Sequence, residues 1–213
     1  MIRTGAQYRD SIRDGRRVYV GGERVKDVTT HPMFKPLVDI RARFYDMQHD
    51  PATCEIMSYA DGAERHAIAN KLPRTQEDWW AKRRATDTLL NEVGGVVTRV
   101  GDETVGEVWS LYDGQDVLAE VDPQFSKNIR DHVAKVLRDD PFHVSANTDP
   151  KGDRSKPPQE QDPDMLLHAV KETDAGIVVR GAKFETAAAY ANQAFTKPTI
   201  ANWGNDALSD YAV

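Results

Sequence analysis

The densest run of side chains able to do chemistry is His143-Val144-Ser145-Ala146-Asn147-Thr148-Asp149-Pro150-Lys151-Gly152-Asp153-Arg154-Ser155-Lys156-Pro157-Pro158. It combines an imidazole, hydroxyls, a carboxamide, carboxylates and three cations in a stretch with no apolar period. Such a segment suits an anionic, hydrogen-bonding ligand. Gly152 lets backbone come close, and Arg154 can grip a phosphate with two parallel hydrogen bonds. A solvated linker between domains has the same composition, and by composition alone the linker is the plainer reading. A sparser candidate is Arg99-Val100-Gly101-Asp102-Glu103, where the arginine can hold a carboxylate or phenolate, or serve only as a surface ion-pair partner.

Several chemistries lack their signatures. His31, His49, His66, His132 and His168 are scattered with no HxxxH or HExxH spacing, so no metal site is expected. Rossmann, P-loop and nucleophile-elbow fingerprints are absent. The one cysteine, Cys54, excludes an internal disulfide framework and fits the cytosol. With 28 Lys+Arg against 34 Asp+Glu the 213-residue chain carries a formal charge of −6, which makes nucleic acid and acidic membranes poor partners. No apolar run is long enough to cross a bilayer, and Met1-Ile2-Arg3-Thr4-Gly5 has no apolar core of a secretory leader.

The elements that must position these residues are legible in part. Thr4 can cap a helix running through Ser11 and Ile12, and Val18-Tyr19-Val20, Gly21-Gly22 and Val25 read as a strand pair about a turn. After His31-Pro32, the residues Leu37, Ile40, Phe44 and Met47 predict one buried helix face. Thr75 with Asp78 is a capping pair for a helix over 75–93, with Trp79, Trp80, Leu89 and Leu90 as apolar bulk and Gly94-Gly95 as its end. Asp122-Pro123 caps a further helix whose buried face is Ile129, Val133, Val136 and Leu137, ending before Pro141.

Composition shifts near 150. Leu166 to Thr173 and Gly176 to Lys183 read as two strands about Asp174-Ala175-Gly176, an antiparallel hairpin. Ala187 to Ala191 fits a helix or a closely packed strand equally well. The expected fold class is α+β: an N-terminal all-α domain over 1–150 followed by part of a middle β domain over 151–213. So few strands cannot cover both faces or protect their edges, so the β domain is expected to be incomplete, through truncation or because another chain completes it; a small sheet packed on the helices is the alternative.

Several runs resemble one family in order and spacing. Arg3-Thr4-Gly5-Ala6-Gln7-Tyr8, Val25-Lys26-Asp27 through Thr30-His31-Pro32, and Tyr45-Asp46-Met47-Gln48-His49-Asp50-Pro51 look like the N-terminus of the 4-hydroxyphenylacetate 3-hydroxylase oxygenase family. Asp149-Pro150 to Pro157-Pro158, Asp162-Pro163 and Gly176-Ile177-Val178-Val179-Arg180-Gly181-Ala182-Lys183 continue the resemblance over essentially the whole chain. It implies an acyl-CoA dehydrogenase-like arrangement of helical domain, antiparallel β-barrel and C-terminal helical bundle. This chain would hold the first and the start of the second, without the bundle that builds the tetramer.

The resemblance also implies an activity. Family members take reduced FAD (FADH2) from a separate reductase, react it with O2 and hydroxylate a phenol ortho to its hydroxyl. The substrate-site arginine falls on Arg99 and its companion tyrosine on Glu103, a departure. The histidine at the phenol oxygen falls on Ser145, a second departure. His143, two residues earlier, would share its side of an extended segment and can substitute for it. The flavin loop corresponds to Ser145, Ala146, Asn147, Lys151, Gly152, Asp153 and Arg154. The flavin-contacting threonine falls at Ala187 with Thr186 beside it, and Thr199 and Ile200 match a substrate-loop pair. The wider family includes 4-hydroxybutyryl-CoA dehydratase, whose cluster cysteines would fall near Arg99 and Glu103, where there is none. The expectation is therefore an aromatic monooxygenase component, or alternatively a truncated, non-catalytic flavin-binding or assembly module.

Overall fold

The computed structural model describes residues 2–96, 100–153, 155–198 and 206–213, with the side chains of 102–105 and 206–208 left aside. The chain divides into two compact units, Met1–His143 with Ala189–Gln193, and Val144–Ala188 with Ala194–Val213.

The first unit opens with α1 (Gly5–Ser11), held by a full capping box: the Gln7 amide donates to Thr4 Oγ1 at 3.2 Å and the Thr4 amide to Gln7 Oε1 at 2.8 Å. Next come β1 (Val18–Val20) and β2 (Glu23–Val25), paired antiparallel about Gly21-Gly22, both at positive φ as a tight hairpin turn requires. The helix α2 (Lys35–Met47) then crosses α1 so closely that a Cβ on Gly5 would stand 2.6 Å from the Ala42 carbonyl. α3 (Cys54–Met57), the antiparallel pair β3 (Ser58–Asp61) and β4 (Glu64–Ala67), and a 3-10 turn at Ile68–Asn70 follow. The remaining helices are α4 (Gln76–Glu92), α5 (Asp102–Asp113), α6 (Gln115–Val121) and α7 (Pro123–Asp139).

Local signals placed these helices well, while burial corrects several faces. Thr75 and Asp78 form the capping box of α4, and Asp122 caps α7 with Pro123 in its first turn. On α2, however, Leu37 is exposed and Ile40 half-buried. Phe44 and Met47 are buried as expected, and the buried face widens to Val38, Arg41, Ala42 and Tyr45, where Tyr8 stacks on Tyr45 at 5.2 Å. Trp79 and Trp80 are more than half exposed and supply no core; Ala85 and Leu89 do. The N-terminal region is not all-α, since it contains the β1–β2 and β3–β4 pairs. The segment 101–121, left without an element by sequence, holds α5 and α6, joined at Gly114.

The chain leaves the first unit within β5 (His143–Ser145). The second unit is built around β6 (His168–Thr173) and β7 (Gly176–Arg180), an antiparallel hairpin turning at Asp174-Ala175, where Thr173 Oγ1 donates to the Gly176 carbonyl at 2.7 Å. β8 (Gln193–Phe195) pairs with β5. Ala187 to Ala191 is neither helix nor strand but a run of turns closing at 190. Every sheet among the described residues has two strands, so the expected barrel is not present in them.

Candidate functional site

In the first unit, α7 and β5 bring two imidazoles together. The rings of His132 and His143 cross edge to face with centroids 5.5 Å apart. His143 is 6% exposed, and its Nε2 makes no hydrogen bond among the described residues. Burial, followed by the neighbouring His132, pushes the His143 pKa down to about 4; Gln193 opposes the shift without reversing it. Burial also lowers His132, helped by Lys135. His143 is therefore neutral at physiological pH, and such a ring can donate one hydrogen bond and accept another. β5 is extended, as the substitution of His143 for Ser145 supposed, and both residues are buried.

A polar knot fixes the backbone that enters β5. Asp140 ends α7 in the left-handed region, with φ of 45°. Its Oδ1 accepts from Asn70 Nδ2 at 2.8 Å, its Oδ2 from Gln48 Nε2 at 3.0 Å, and its carbonyl from the Tyr45 hydroxyl at 3.1 Å. Burial pushes the Asp140 carboxyl up, against the Gln48 hydrogen bond and the Arg41 charge. Arg41 is itself buried, its guanidinium 4.0 Å over the Phe142 ring and 4.3 Å over Phe44. The Phe142 amide donates to Asn192 Oδ1 at 3.0 Å, and the Phe142 carbonyl accepts from the Asn192 amide at 2.8 Å.

The start of α5 is located by close packing. A Cβ on Gly101 would stand 3.0 Å from the Ala69 carbonyl, and Lys82 Nζ donates to the Ile68 and Ala69 carbonyls at 2.8 Å each. Glu103 stands in the first turn of this helix, its side chain outside the described residues, as are Arg99, Arg154, Thr199 and Ile200.

The crossover in the second unit is folded by its own side chains. The Ala146 amide donates to the Phe195 carbonyl at 2.8 Å. Asp149 pairs with Lys183 at 2.7 Å, both largely buried. Gly152 has φ of 47°, and a Cβ there would meet Gln161 Oε1 and the Met165 sulfur. Gln161 accepts from the Asp153 amide at 2.7 Å and donates to the Lys156 carbonyl at 3.0 Å. Asp153 accepts from the amide and hydroxyl of Ser155, which hold its carboxyl low. The close approach at Gly152 is thus occupied by Gln161 and Met165. Lys151 is exposed and makes no ion pair among the described residues. Thr186 donates to Glu185 at 3.1 Å, and Ala187 is buried.

Sequence reasoning missed Arg41, Gln48, Asn70 and Asp140. The available signal was a charge at position 41, one step inside an apolar helical period. Among the described residues no group of three or more His, Cys, Asp or Glu is arranged to hold a metal.

Comparison with known proteins adds four likenesses. The family profile described as "4-hydroxyphenylacetate 3-hydroxylase N terminal" matches residues 4–213. The oxygenase component of 4-hydroxyphenylacetate 3-monooxygenase from Thermus thermophilus is 31% identical over 201 residues, covering 93% of this chain and 41% of that protein. The 4-hydroxybutyryl-CoA dehydratase/vinylacetyl-CoA-Delta-isomerase of Clostridium aminobutyricum is also 31% identical, covering 100% of this chain and 44% of the relative. A crystal structure of the oxygenase component of 4-hydroxyphenylacetate 3-monooxygenase complexed with FAD superposes with a TM-score of 0.83 at 30% identity, over 94% of this chain and 42% of that one. The chain spans about two fifths of the length of these curated relatives.

Proposed function

The chain belongs to the 4-hydroxyphenylacetate 3-hydroxylase family, and from that premise we propose that it supplies the N-terminal part of the oxygenase component of a two-component, FADH2-dependent monooxygenase. The proposed substrate is a phenol of the 4-hydroxyphenylacetate type, hydroxylated ortho to its hydroxyl. The observation that carries this reading is the unbroken match over residues 4–213, joined to a TM-score of 0.83 against a relative complexed with FAD. A separate flavin reductase, O2 and a homotetrameric longer form are the partners that follow from the same reading. No described helix is long and apolar enough to cross a membrane.

The residues present suit a flavin by their donor chemistry. The Ser145 hydroxyl and the Asn147 carboxamide match the hydrogen-bonding edge of an isoalloxazine, and the exposed ammonium of Lys151 suits a phosphate. Ala146, Asp153 and Thr186 would complete the flavin contacts, with Arg154, while Gly152 would shape the loop that Gln161 and Met165 close. When bound, reduced FAD supplies the oxygen-activating chemistry. The protein's share is to hold the phenol. Arg99 would favour the phenolate by its charge, Glu103, Thr199 and Ile200 would contact the substrate, and His143 would hold one proton toward the phenol oxygen. A ring that stays neutral to about pH 4 does this without importing a second positive charge. The burial that depresses His143 also excludes water from its surroundings, which the reactive flavin requires.

The test mixes the chain with reduced FAD, O2 and 4-hydroxyphenylacetate, following the 3,4-dihydroxy product by chromatography and FADH2 oxidation by absorbance. Product above the protein-free control is the expected result. Oxidation at the buffer rate with no product overturns catalysis by this chain. A second reading, a flavin-binding or assembly module without catalysis, is favoured by the two-fifths coverage of the relatives and by the departures at Glu103 and Ser145. Gel filtration with and without FAD separates that module from a chain indifferent to flavin.

A further inference from the structure

The first unit has a groove of about 510 Å³ between the segment entering α4 and the outer stripe of α5. That volume lies in the range of small-molecule sites. Gly106, Trp109, Ser110 and Asp113 fall at i, i+3, i+4 and i+7 and form one side; Pro73, Arg74 and Trp79 form the other. Trp109 is 8% exposed and held edge-on by Tyr112 at 5.3 Å, so its indole is a fixed floor. Trp79 is 59% exposed, a large apolar surface left in water beside that floor. With no side chain at Gly106, nothing lies within 4 Å of where its Cβ would be, so the wall stays low.

Among the described residues the charges of the groove are in no ion pair, unlike their neighbours. Asp78 is engaged by Lys71 at 2.5 Å and by Thr75, and Glu77 by Arg84. Lys82 serves the Ile68 and Ala69 carbonyls, and Arg83 pairs with Asp87. Among the described residues the Arg74 guanidinium and the Asp113 carboxylate form no ion pair. With an indole floor and, among the described residues, one cation and one anion outside any ion pair, the site is complementary to an aromatic zwitterion.

We propose that this groove binds an aromatic amino acid, its ring against Trp79 and Trp109, its carboxylate on Arg74 and its ammonium on Asp113. A ligand with one charge would leave the other lining charge unmatched, and an aliphatic amino acid would forgo the indole contact. The site is independent of the flavin reading and needs no flavin to be examined.

Calorimetric titration of the chain with L-phenylalanine, phenylacetate and phenethylamine decides it. Phenylalanine should bind about two- to fivefold more tightly than either singly charged probe, the yield of one more exposed ion pair. Arg74→Gln should reduce phenylalanine to the level of phenethylamine, and Asp113→Asn should reduce it to the level of phenylacetate. Trp79→Ala should weaken all three probes by about tenfold. These three residues are exposed, so the variants keep the fold, and circular dichroism checks that they do. Equal affinity for the three probes, indifference to Trp79→Ala, or no heat with any probe at millimolar concentration would each overturn the proposal.

Discussion

The two units hold their polar groups in opposite ways. In the first, polar side chains are buried in a bonded set: Asp140 joins Gln48, Asn70 and the Tyr45 hydroxyl, and Arg41 lies over Phe44, Tyr45 and Phe142. In the second, polar bonds are local and mostly exposed, as at Asp153, Ser155 and Gln161, and every residue of β7 is exposed. Buried networks are costly to break because each orphaned group loses both partner and water, whereas exposed groups recover water when they lose a partner. The first unit should therefore respond to single polar substitutions far more than the second.

The largest effect is expected at Asp140. Asp140→Ala strands the Gln48 and Asn70 donors and removes the counter-charge near Arg41. Breaking such a buried set costs about 3–5 kcal/mol, read as a fall in the urea midpoint. A loss below about 1 kcal/mol, the value of an ordinary surface bond, would mean that the knot is solvated and the contrast between the units false.

His143 comes next and acts through pH. Its folded pKa is depressed to about 4, while an unfolded histidine titrates near 6.5. Above pH 6.5 both states are neutral and the group adds nothing. As pH falls below 6.5 the unfolded state takes a proton that the folded state refuses until about pH 4, so stability declines across that window by about 3 kcal/mol. His143→Gln should flatten that share of the decline, measured as denaturant midpoints at several pH values between 7 and 4. Parallel profiles for the two proteins would place the ring in water.

The buried ion pair of the second unit should rank third. Lys183→Met leaves the Asp149 carboxylate, little exposed, without its cation, at a cost of about 2 kcal/mol, less than for a fully enclosed pair. Hydrogen exchange should localise the loss to residues 144–188. If the first unit loosens equally, the two do not unfold separately and the comparison has to be made on the chain as a whole.

What could be read from the residues follows the range of the forces involved. Thr4, Thr75 with Asp78, Asp122 with Pro123, and Gly21-Gly22 were legible because a cap or turn is decided within four residues. Part of the face of α2 was misjudged because Arg41 looks like a solvent residue until Phe44 and Tyr45 of its own helix and the distant Phe142 surround its guanidinium. Helices α5 and α6 were missed because Gly101, Gly106 and Gly114 interrupt the pattern; packing on Ala69, not propensity, starts α5 there. Of the candidate site, the extended segment from His143 to Ser145 was supposed rather than read, and the protonation behaviour of His143 depends on its burial and then on His132, eleven positions earlier on another element.

The smallest effect is expected on the hairpin, where it says most about the second unit. Ile177 is 56% exposed and Val178 46%. Replacing a buried isoleucine costs several kcal/mol, but one already in water has little transfer energy to lose, so Ile177→Thr should stay within about 0.5 kcal/mol. A two-stranded hairpin bare on both faces is marginal in water, and β-branched side chains help it only through their cross-strand neighbours. If Ile177→Thr costs about 2 kcal/mol or more, as a buried site would, β7 is covered in solution by another polypeptide surface. The second unit would then owe its stability to that cover, as the first owes its own to the aromatic core. Dilution would separate the two cases: a cover supplied by another molecule makes the midpoint fall with protein concentration, and a bare hairpin leaves it unchanged.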